Sequence, residues 1–172
     1  QICYDSKRWE KWVDKDFVPS DNKKELIKIC GHYVFSDKEF LELEKLIHHR
    51  QYTTGDFIFK NRAPGEGMYI IMQGAVKITI GTRNNNENIL AELEEGDFFG
   101  ELALFDDEAR SANAIATKDS KLLGFFTQDL MGLQERNPVL GQKILFNLGG
   151  VLGERLRGTN SLLINSQSNK KD

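Results

Sequence analysis

The most informative stretch of this sequence is Phe98-Phe99-Gly100-Glu101-Leu102-Ala103-Leu104-Phe105, which continues through Asp106-Asp107-Glu108-Ala109 into Arg110-Ser111-Ala112. Gly100 permits a tight backbone turn, and residues 101–105 can then form one helical turn whose free N–H groups point back toward it. Arg110 follows nine residues after Glu101, and its planar guanidinium group can hold two anionic oxygens. Ser111 can add a hydroxyl donor. The pattern predicts a cradle for a small anion.

Glu101 is expected to face the same cradle. Its carboxylate does not favour an anion directly, but it can accept hydrogen bonds from an adjacent sugar hydroxyl. A ligand with a monoanionic phosphate next to a free 2′-hydroxyl therefore suits both Glu101 and Arg110. The alternative is that these two residues form only an ion pair beside a turn, with Gly100 as an ordinary turn residue.

Short runs rich in β-branched and aromatic residues surround this stretch and indicate strands. They lie at residues 57–59, 68–72, 75–80, 89–93, 112–117 and 122–126. Turn residues recur between them about every 8 to 12 positions, for example at Gly55, Gly74 and Gly96. This spacing is typical of a small all-β sandwich or barrel.

Helical patterns precede the strands. Residues 6–18 place Trp9 and Trp12 on one apolar stripe, and a second short helix is expected to end at Gly31. Ser36 and Glu39 have the spacing of a capping box and predict the start of a third helix. His48 and His49 lie near the expected end of that helix, where they can contact its last carbonyl groups.

Two more helices are predicted after the strands. Thr127 is expected to cap a short helix, and Asn137-Pro138 to supply the cap and first residue of a long one. The long helix has glycines at 149 and 153, one turn apart, which let another backbone approach closely. That backbone belongs either to the barrel of the same chain or to the same helix of a second subunit. The expected apolar face consists of Leu145, Leu148, Leu152 and Leu156.

Length and charge limit the functions open to the chain. Its 172 residues suffice for one main domain. Lys plus Arg number 23 against 26 for Asp plus Glu, a net charge of −3, so no strong basic field favours nucleic acid or anionic lipid. No uncharged apolar run approaches the roughly 18 residues of a membrane-spanning helix. We therefore expect a cytoplasmic protein with no direct contact to nucleic acid or membrane within these residues.

The sequence offers little for metal binding or catalysis. Cys3 and Cys30 are 27 residues apart and have no His at ligand spacing beside them, so no metal site is expected. Neither a nucleophile beside a base nor a metal-binding carboxylate and His cluster of the hydrolytic kind is recognisable. We expect a domain that is not an enzyme, that uses no cofactor, and that binds a ligand without turning it over.

The stretch 98–112 resembles the phosphate-binding cassette of cyclic-nucleotide-binding domains, the family of the catabolite activator protein and of kinase regulatory subunits. Tyr52-Thr53-Thr54-Gly55-Asp56-Phe57-Ile58 resembles the family's first strand, and the core hairpin is similar to Gly67-Met68-Tyr69-Ile70-Ile71-Met72-Gln73-Gly74-Ala75-Val76-Lys77-Ile78. The resemblance covers residues 36–161. It implies an α+β fold, a small jelly-roll-like β-roll (a double-stranded β-helix) of about eight strands with N-terminal helices and a long C-terminal helix.

The resemblance also implies a ligand site, with cAMP or cGMP as ligand and no cofactor. The residues assigned to it are Gly100, Glu101, Leu102, Ala103, Arg110 and Ser111. Residues 100, 102 and 103 would offer backbone N–H groups to the cyclic phosphate. The glutamate would bind the ribose 2′-hydroxyl, and the arginine and serine would bind phosphate oxygens. Ala109 stands where the family often has Pro, which is expected to loosen the loop without removing a contact.

Two features bear on the base of the ligand. Residues 154–160 resemble the part of the bacterial activator's helix that supplies hydroxyls to the base, which makes Thr159 and Asn160 candidate purine contacts. Ser111 occupies a position where cGMP-preferring domains tend to have Thr, which favours cAMP.

The expected organisation is a helical extension at 1–35, a cyclic-nucleotide-binding domain at 36–165 including the C-terminal helix, and a flexible tail at 166–172. The expected function is a cyclic-nucleotide sensor, with cAMP as the favoured ligand, that repositions its C-terminal helix. A downstream effector protein or domain is an expected partner, and a second copy bound through that helix is one of the two alternatives for the close approach at Gly149 and Gly153. Two alternatives remain: a degenerate interaction module that binds no nucleotide, and a transcription regulator truncated before its DNA-binding domain.

Overall fold

The computed structural model of the chain describes residues 35–81 and 87–168. The helices expected at 6–18 and before Gly31, with Trp9 and Trp12, lie outside these ranges. The elements in chain order are α1 (Asp37–Glu44), β1 (His48–Tyr52), β2 (Phe57–Phe59), β3 (Gly67–Gln73), β4 (Ala75–Gly81), β5 (Glu87–Glu94), β6 (Phe98–Phe99), a 3₁₀ helix (Glu101–Leu104), β7 (Asn113–Ala116), β8 (Ser120–Phe126), α2 (Thr127–Arg136) and α3 (Pro138–Ser168).

The strands of the described ranges form two four-stranded sheets, with the orders β1-β8-β3-β6 and β2-β7-β4-β5. Every neighbouring pair is antiparallel. Consecutive strands often lie in different sheets, so the chain winds around the barrel as it advances. This arrangement confirms the predicted β-roll with flanking helices.

Strand β3 lies at the centre of the molecule because both of its faces are buried. Met68 and Ile70 belong to the core under the helices, whereas Tyr69 and Ile71 belong to the core between the two sheets. Alternate residues of a strand point to opposite faces, so this one apolar run serves two cores. Strand β8 beside it divides in the same way: Leu123 packs in the first core and Leu122 in the second.

Helix α1 begins where the capping box predicts. The Ser36 hydroxyl accepts a hydrogen bond from the Glu39 backbone N–H at 3.3 Å, and the Glu39 carboxylate accepts one from the Ser36 N–H at 2.7 Å. The expected position of His48 and His49 at the end of this helix is wrong, because α1 ends at Glu44 and both histidines lie in β1. His48 Nε2 lies 2.9 Å from Asp129 Oδ2 and so joins β1 to α2.

Tyr52, at the end of β1, gives the fold a testable pH dependence. Burial, together with the neighbouring Tyr69 hydroxyl, raises the pKa of Tyr52 to about 12, whereas an unfolded tyrosine titrates near 10. The neutral phenol is therefore favoured in the folded state. The contribution of the Tyr52 phenol to the free energy of unfolding is fully present below about pH 10 and is lost as the pH rises from about 10 to about 12.

We expect Tyr52→Phe to lose this part of the alkaline destabilisation. Urea unfolding of both proteins between pH 8 and pH 11 measures the effect. The wild-type free energy of unfolding should fall more steeply above about pH 10 than that of the variant. If the free energy of unfolding depends on pH in the same way in both proteins, the assignment of a raised pKa to Tyr52 is contradicted.

The two C-terminal helices differ in how they begin. Asn137 caps α3 as predicted, since its side-chain oxygen accepts a hydrogen bond from the Leu140 N–H at 3.2 Å. Thr127, however, is not a cap: it is the first residue of α2. Its hydroxyl donates instead to the Ala103 carbonyl at 2.8 Å and fastens α2 to the 3₁₀ helix.

The predicted apolar face of α3 is only partly correct. Of the four expected leucines, Leu148 is buried, whereas Leu156 is 62% exposed. Leu145 and Leu152 are half-buried at the margin of the true face. That face combines β-branched residues with leucines, and its buried apolar members are Leu140, Ile144, Leu148 and Val151. The helix continues to Ser168, so residues 166–168, assigned to the tail from the sequence, are helical.

Candidate functional site

The helical turn predicted after Gly100 is present as the 3₁₀ helix Glu101–Leu104. Gly100 adopts a φ of +76° at its start, a conformation that a residue with a Cβ rarely accepts. A Cβ at this position would also lie 2.7 Å from Nη1 of Arg110. Glycine is therefore needed here both for the backbone turn and for the approach of the arginine.

Arg110 is a buried cation held by backbone carbonyl groups. Its side chain donates to the Gly100 carbonyl at 3.0 Å and to the Gly67 carbonyl at 2.6 Å, and its guanidinium carbon lies 4.1 Å from the centre of the Phe59 ring. Only 8% of the residue is exposed. The backbone is fixed as well, because Arg110 exchanges hydrogen bonds of 2.8 Å with Arg62 and Ala63.

One nitrogen of this guanidinium group forms no hydrogen bond. Nε of Arg110 is buried and has no hydrogen-bond partner in the structure. Within the described ranges no carboxylate forms an ion pair with Arg110, and burial lowers the pKa of the guanidinium group. A buried charge without a counterion is costly. The position therefore favours an anionic ligand.

Glu101 is also buried, but its partner differs from the one considered in the sequence. Its Oε1 accepts a hydrogen bond from Nη1 of Arg155, in α3, at 2.6 Å. The alternative of a simple ion pair between Glu101 and Arg110 is therefore not found. Arg155 also donates to the Phe98 carbonyl at 2.7 Å, and its guanidinium carbon lies 4.0 Å from the centre of the Phe98 ring.

Arg155 is the residue that sequence reasoning missed. It lies within residues 154–160, where the sequence pointed only to a hydroxyl and an amide group as ligand contacts. The contact joins positions 54 residues apart, and a single sequence has no local signal for such a pairing. A basic residue on the buried side of α3 was the only available indication.

The other predicted residues have varied positions. Ala103 is buried, and its N–H donates to the Gly100 carbonyl at 3.3 Å. Leu102 is 52% exposed, and Ser111 is exposed in the bend before β7. The structure thus brings together Gly100, Glu101, Ala103 and Arg110 around one turn.

Thr159 and Asn160 lie one helical turn beyond Arg155 and are both exposed. The Thr159 hydroxyl donates to the Arg155 carbonyl of the same helix at 3.0 Å. Their assignment as purine contacts stays a prediction.

The described ranges hold neither a metal site nor a membrane-spanning helix. No group of three or more His, Cys, Asp or Glu side chains there is arranged to hold a metal ion. None of the helices in the same residues combines the length and apolar character that crossing a bilayer requires.

Comparison with known proteins shows which family this chain is similar to. The model of the cyclic nucleotide-binding domain matches residues 49–137. The chain is 35% identical over 108 residues to the cyclic AMP receptor protein of Thermus thermophilus, which covers 63% of this chain and 48% of that protein. It is 36% identical over 69 residues to human cGMP-dependent protein kinase 2, covering 40% of this chain and 9% of the kinase. The chain spans at most about half the length of these two relatives (48% and 9%).

The fold has a clear counterpart among solved structures. A cyclic nucleotide-binding domain from Methylobacillus flagellatus superposes with a TM-score of 0.76 at 22% identity and covers 85% of both chains. At that identity the likeness concerns the fold alone. The matched segment 49–137 spans more than half of the 172 residues and contains the whole cassette. This chain therefore belongs to the family of cyclic nucleotide-binding domains.

Proposed function

We propose that this chain is a cyclic-nucleotide sensor that takes cAMP in the cassette around Gly100 and responds by changing the position of α3. The observation that carries the proposal is the buried guanidinium group of Arg110, whose Nε has no partner. A cyclic phosphate supplies both the missing negative charge and an acceptor for that donor.

The Glu101 carboxylate gives the site its preference for a ribose. A carboxylate has two oxygens and about four acceptor positions. Oε1 of Glu101 is engaged by Arg155, and the remaining acceptor positions can take the hydrogen of a 2′-hydroxyl. Both side chains adjoin the same turn, so one nucleotide is proposed to contact Arg110 with its phosphate and Glu101 with its 2′-hydroxyl.

The proposed response is a change in the position of α3, with no chemical conversion of the ligand. The groups around the cassette bind and orient a nucleotide, and none of them is assigned the role of nucleophile or general base. Helix α3 contacts the cassette through Arg155. The ligand therefore shifts the helix only as far as its affinity differs between the two helix positions. A downstream effector would detect that shift.

The choice of cAMP over cGMP rests on Ser111 and on the purine contacts proposed for Thr159 and Asn160. The relatives do not decide it, because one is named a cyclic AMP receptor protein and the other a cGMP-dependent kinase.

Thermal unfolding of the purified chain with cAMP, cGMP and 5′-AMP tests the proposal. At about a hundredfold excess over the Kd, a ligand that binds the folded state stabilises it by roughly 2.7 kcal/mol. For a chain of this size that is a rise of about 5 to 10 °C in Tm. A rise with cAMP and none with 5′-AMP is expected. No rise with either cyclic nucleotide, after removal of co-purified ligand, would favour the degenerate interaction module.

Gly100→Ala should weaken cAMP binding by about tenfold or more, because the new Cβ meets Nη1 of Arg110 at 2.7 Å. Gly55→Ala is the matched control. Gly55 also has a positive φ, of +94°, but a Cβ there meets nothing within 4 Å. Both variants should lose about 1 kcal/mol or more of stability, and only the Gly100 variant should lose affinity. Equal affinities by calorimetry would contradict the assigned position of Arg110.

Helix α3 also carries the proposed contact with a second copy of the chain. Val139, Phe146 and Leu156 are 62% to 66% exposed and, with Gly149 and Gly153, follow the three- and four-residue spacing of a helix–helix seam. A Cβ at Gly149 would meet nothing within 4 Å, so packing within the chain does not require this glycine. Sedimentation equilibrium should show a dimer that Phe146→Glu converts to a monomer; a monomeric wild-type chain would contradict the contact.

A further inference from the structure

Two described contacts border the outer face of α3. On one side α2 adjoins the helix at Gly141, where an added Cβ would lie 2.6 Å from Cγ of Gln134. On the other side Nζ of Lys143 lies 5.8 Å from the centre of the Phe35 ring. Positions two residues apart in a helix are separated by about 200° around its axis. These contacts therefore divide α3 into its buried core face and an outer face centred on Gln142, which is exposed.

The outer face contains an apolar groove between α3 and α2. The groove has a volume of about 390 Å³ and is lined by Gln134, Pro138, Gln142, Leu145 and Phe146. Leu145 is half-buried, and 66% of Phe146 is exposed. Apolar groups gathered in a concave part of the surface are typical of a binding site. A groove of this volume can hold a large aromatic side chain.

The described part of the chain begins at the border of this outer face. Phe35 is only 6% exposed, and its ring centre lies 5.6 Å from that of Phe40 in α1. The ring also lies beside Lys143 of α3, so the position of Phe35 is fixed by two helices. Residues 1–34 precede it. The N-terminal segment is therefore attached to the domain next to the outer face.

Residues 6–18 have the composition that this groove requires. At helical spacing they place Trp9, Trp12, Val13 and Phe17 on one apolar stripe, and a tryptophan buries about 150 to 250 Å² when it is covered. Residues 19–34, which join this segment to Phe35, can span up to about 55 Å when extended. The groove residues of α3, 138 to 146, extend over only about 12 Å. The segment can therefore reach the whole groove.

We infer that residues 6–18 dock on the outer face of α3, with Trp9 and Trp12 in the groove beside α2. The inference goes beyond the proposed function and does not depend on it, because it requires no nucleotide and residues 6–18 precede the family segment 49–137. Attachment to the same chain gives the segment an effective concentration of about a millimolar. It therefore covers Phe146 before a second copy does, and the dimer forms only at higher protein concentration.

Nuclear Overhauser effects measured on the full chain without nucleotide test the location directly. The chain has two tryptophans, Trp9 and Trp12, so indole signals report on this segment alone. We expect effects between indole protons and the methyl groups of Leu145. In a mixture of isotope-labelled and unlabelled chains they should arise within one chain. If they arise only between chains, a second copy supplies the tryptophans and the inference is overturned.

Tryptophan fluorescence supplies a second readout at about 1 µM protein, where intramolecular docking is favoured. The wild-type emission maximum should lie at a shorter wavelength than that of free tryptophan in water. Phe146→Glu places a charge in the groove at an exposed position, and it should raise the acrylamide quenching constant about twofold or more as the segment is released. Leu156→Glu is the matched control: Leu156 is 62% exposed on the same helix and lies outside the groove. Its quenching constant should equal that of the wild type.

The outcomes separate this inference from the proposed function. Equal quenching constants in the wild type and in Phe146→Glu would overturn the docking, whatever the result with cAMP. An equal rise in Phe146→Glu and Leu156→Glu would also overturn it, since the tryptophans would then be buried by a dimer. A failure of cAMP to raise the Tm would leave the docking in place and contradict only the proposed function.

Discussion

Arg110→Ala should reduce the affinity for cAMP by about a hundredfold or more. Removing one partner of a buried, hydrogen-bonded charge pair costs about 2 to 5 kcal/mol, mainly because the other charge is left unpaired in the site. Only 8% of the residue is exposed, so water replaces the guanidinium group poorly. An equilibrium titration with cAMP measures the loss.

Two further variants make this result specific. Arg110→Lys keeps the positive charge but lacks the second planar donor, and its affinity should lie between those of the wild type and Arg110→Ala. Arg136→Ala removes an exposed arginine of α2 and should bind as the wild type does. If a folded Arg110→Ala protein binds cAMP as tightly as the wild type does, the nucleotide lies elsewhere and the proposed site is wrong.

Leu123→Ala should produce the largest loss of stability, about 3 kcal/mol. Leu123 has no exposed surface in β8 and pairs with Ile70 of β3 in the core beneath the helices. Truncation there leaves a cavity between two central strands that cannot easily collapse. For a chain of this length the Tm should fall by about 6 to 12 °C.

Leu90→Ala is the control for this prediction, because Leu90 lies in a strand, β5, and is 56% exposed. It should change the free energy of unfolding by less than about 0.5 kcal/mol. Denaturant unfolding of the two variants provides the comparison. A similar loss in both would contradict the assignment of β3 and β8 to the centre of the core.

Strands with apolar or alternating patterns could be predicted from the sequence, and polar or very short strands could not. The runs at 68–72 and 122–126 are buried on two faces, so their composition is conspicuous. Strand β1 has the sequence His-His-Arg-Gln-Tyr, and its three central residues are exposed. Nothing in that composition distinguishes it from the end of a helix. Pairing with β8 places it in the sheet.

The cassette was predictable because its chemistry is local. Gly100 marks the turn, and Arg110 lies close enough in sequence to return to it. The face of α3 was less predictable, because the leucines at 145, 152 and 156 form a plausible stripe of their own. In the structure the neighbouring stripe is buried instead, and it consists of Leu140, Ile144 and Leu148. The contact of Arg155 could not be predicted either, because its partners lie 54 and 57 residues away in the sequence.

The most direct test of the central claim is a ¹H–¹⁵N NMR titration with cAMP that follows the Nε–H resonance of Arg110. This donor is buried and has no partner in the structure, so a phosphate that binds as proposed must accept its hydrogen bond. We expect this resonance and the backbone amides of residues 100–103 to shift and saturate together with cAMP, and to stay in place with 5′-AMP. Saturable binding of cAMP with the Arg110 Nε–H unmoved, or no shifts at all, would contradict the account.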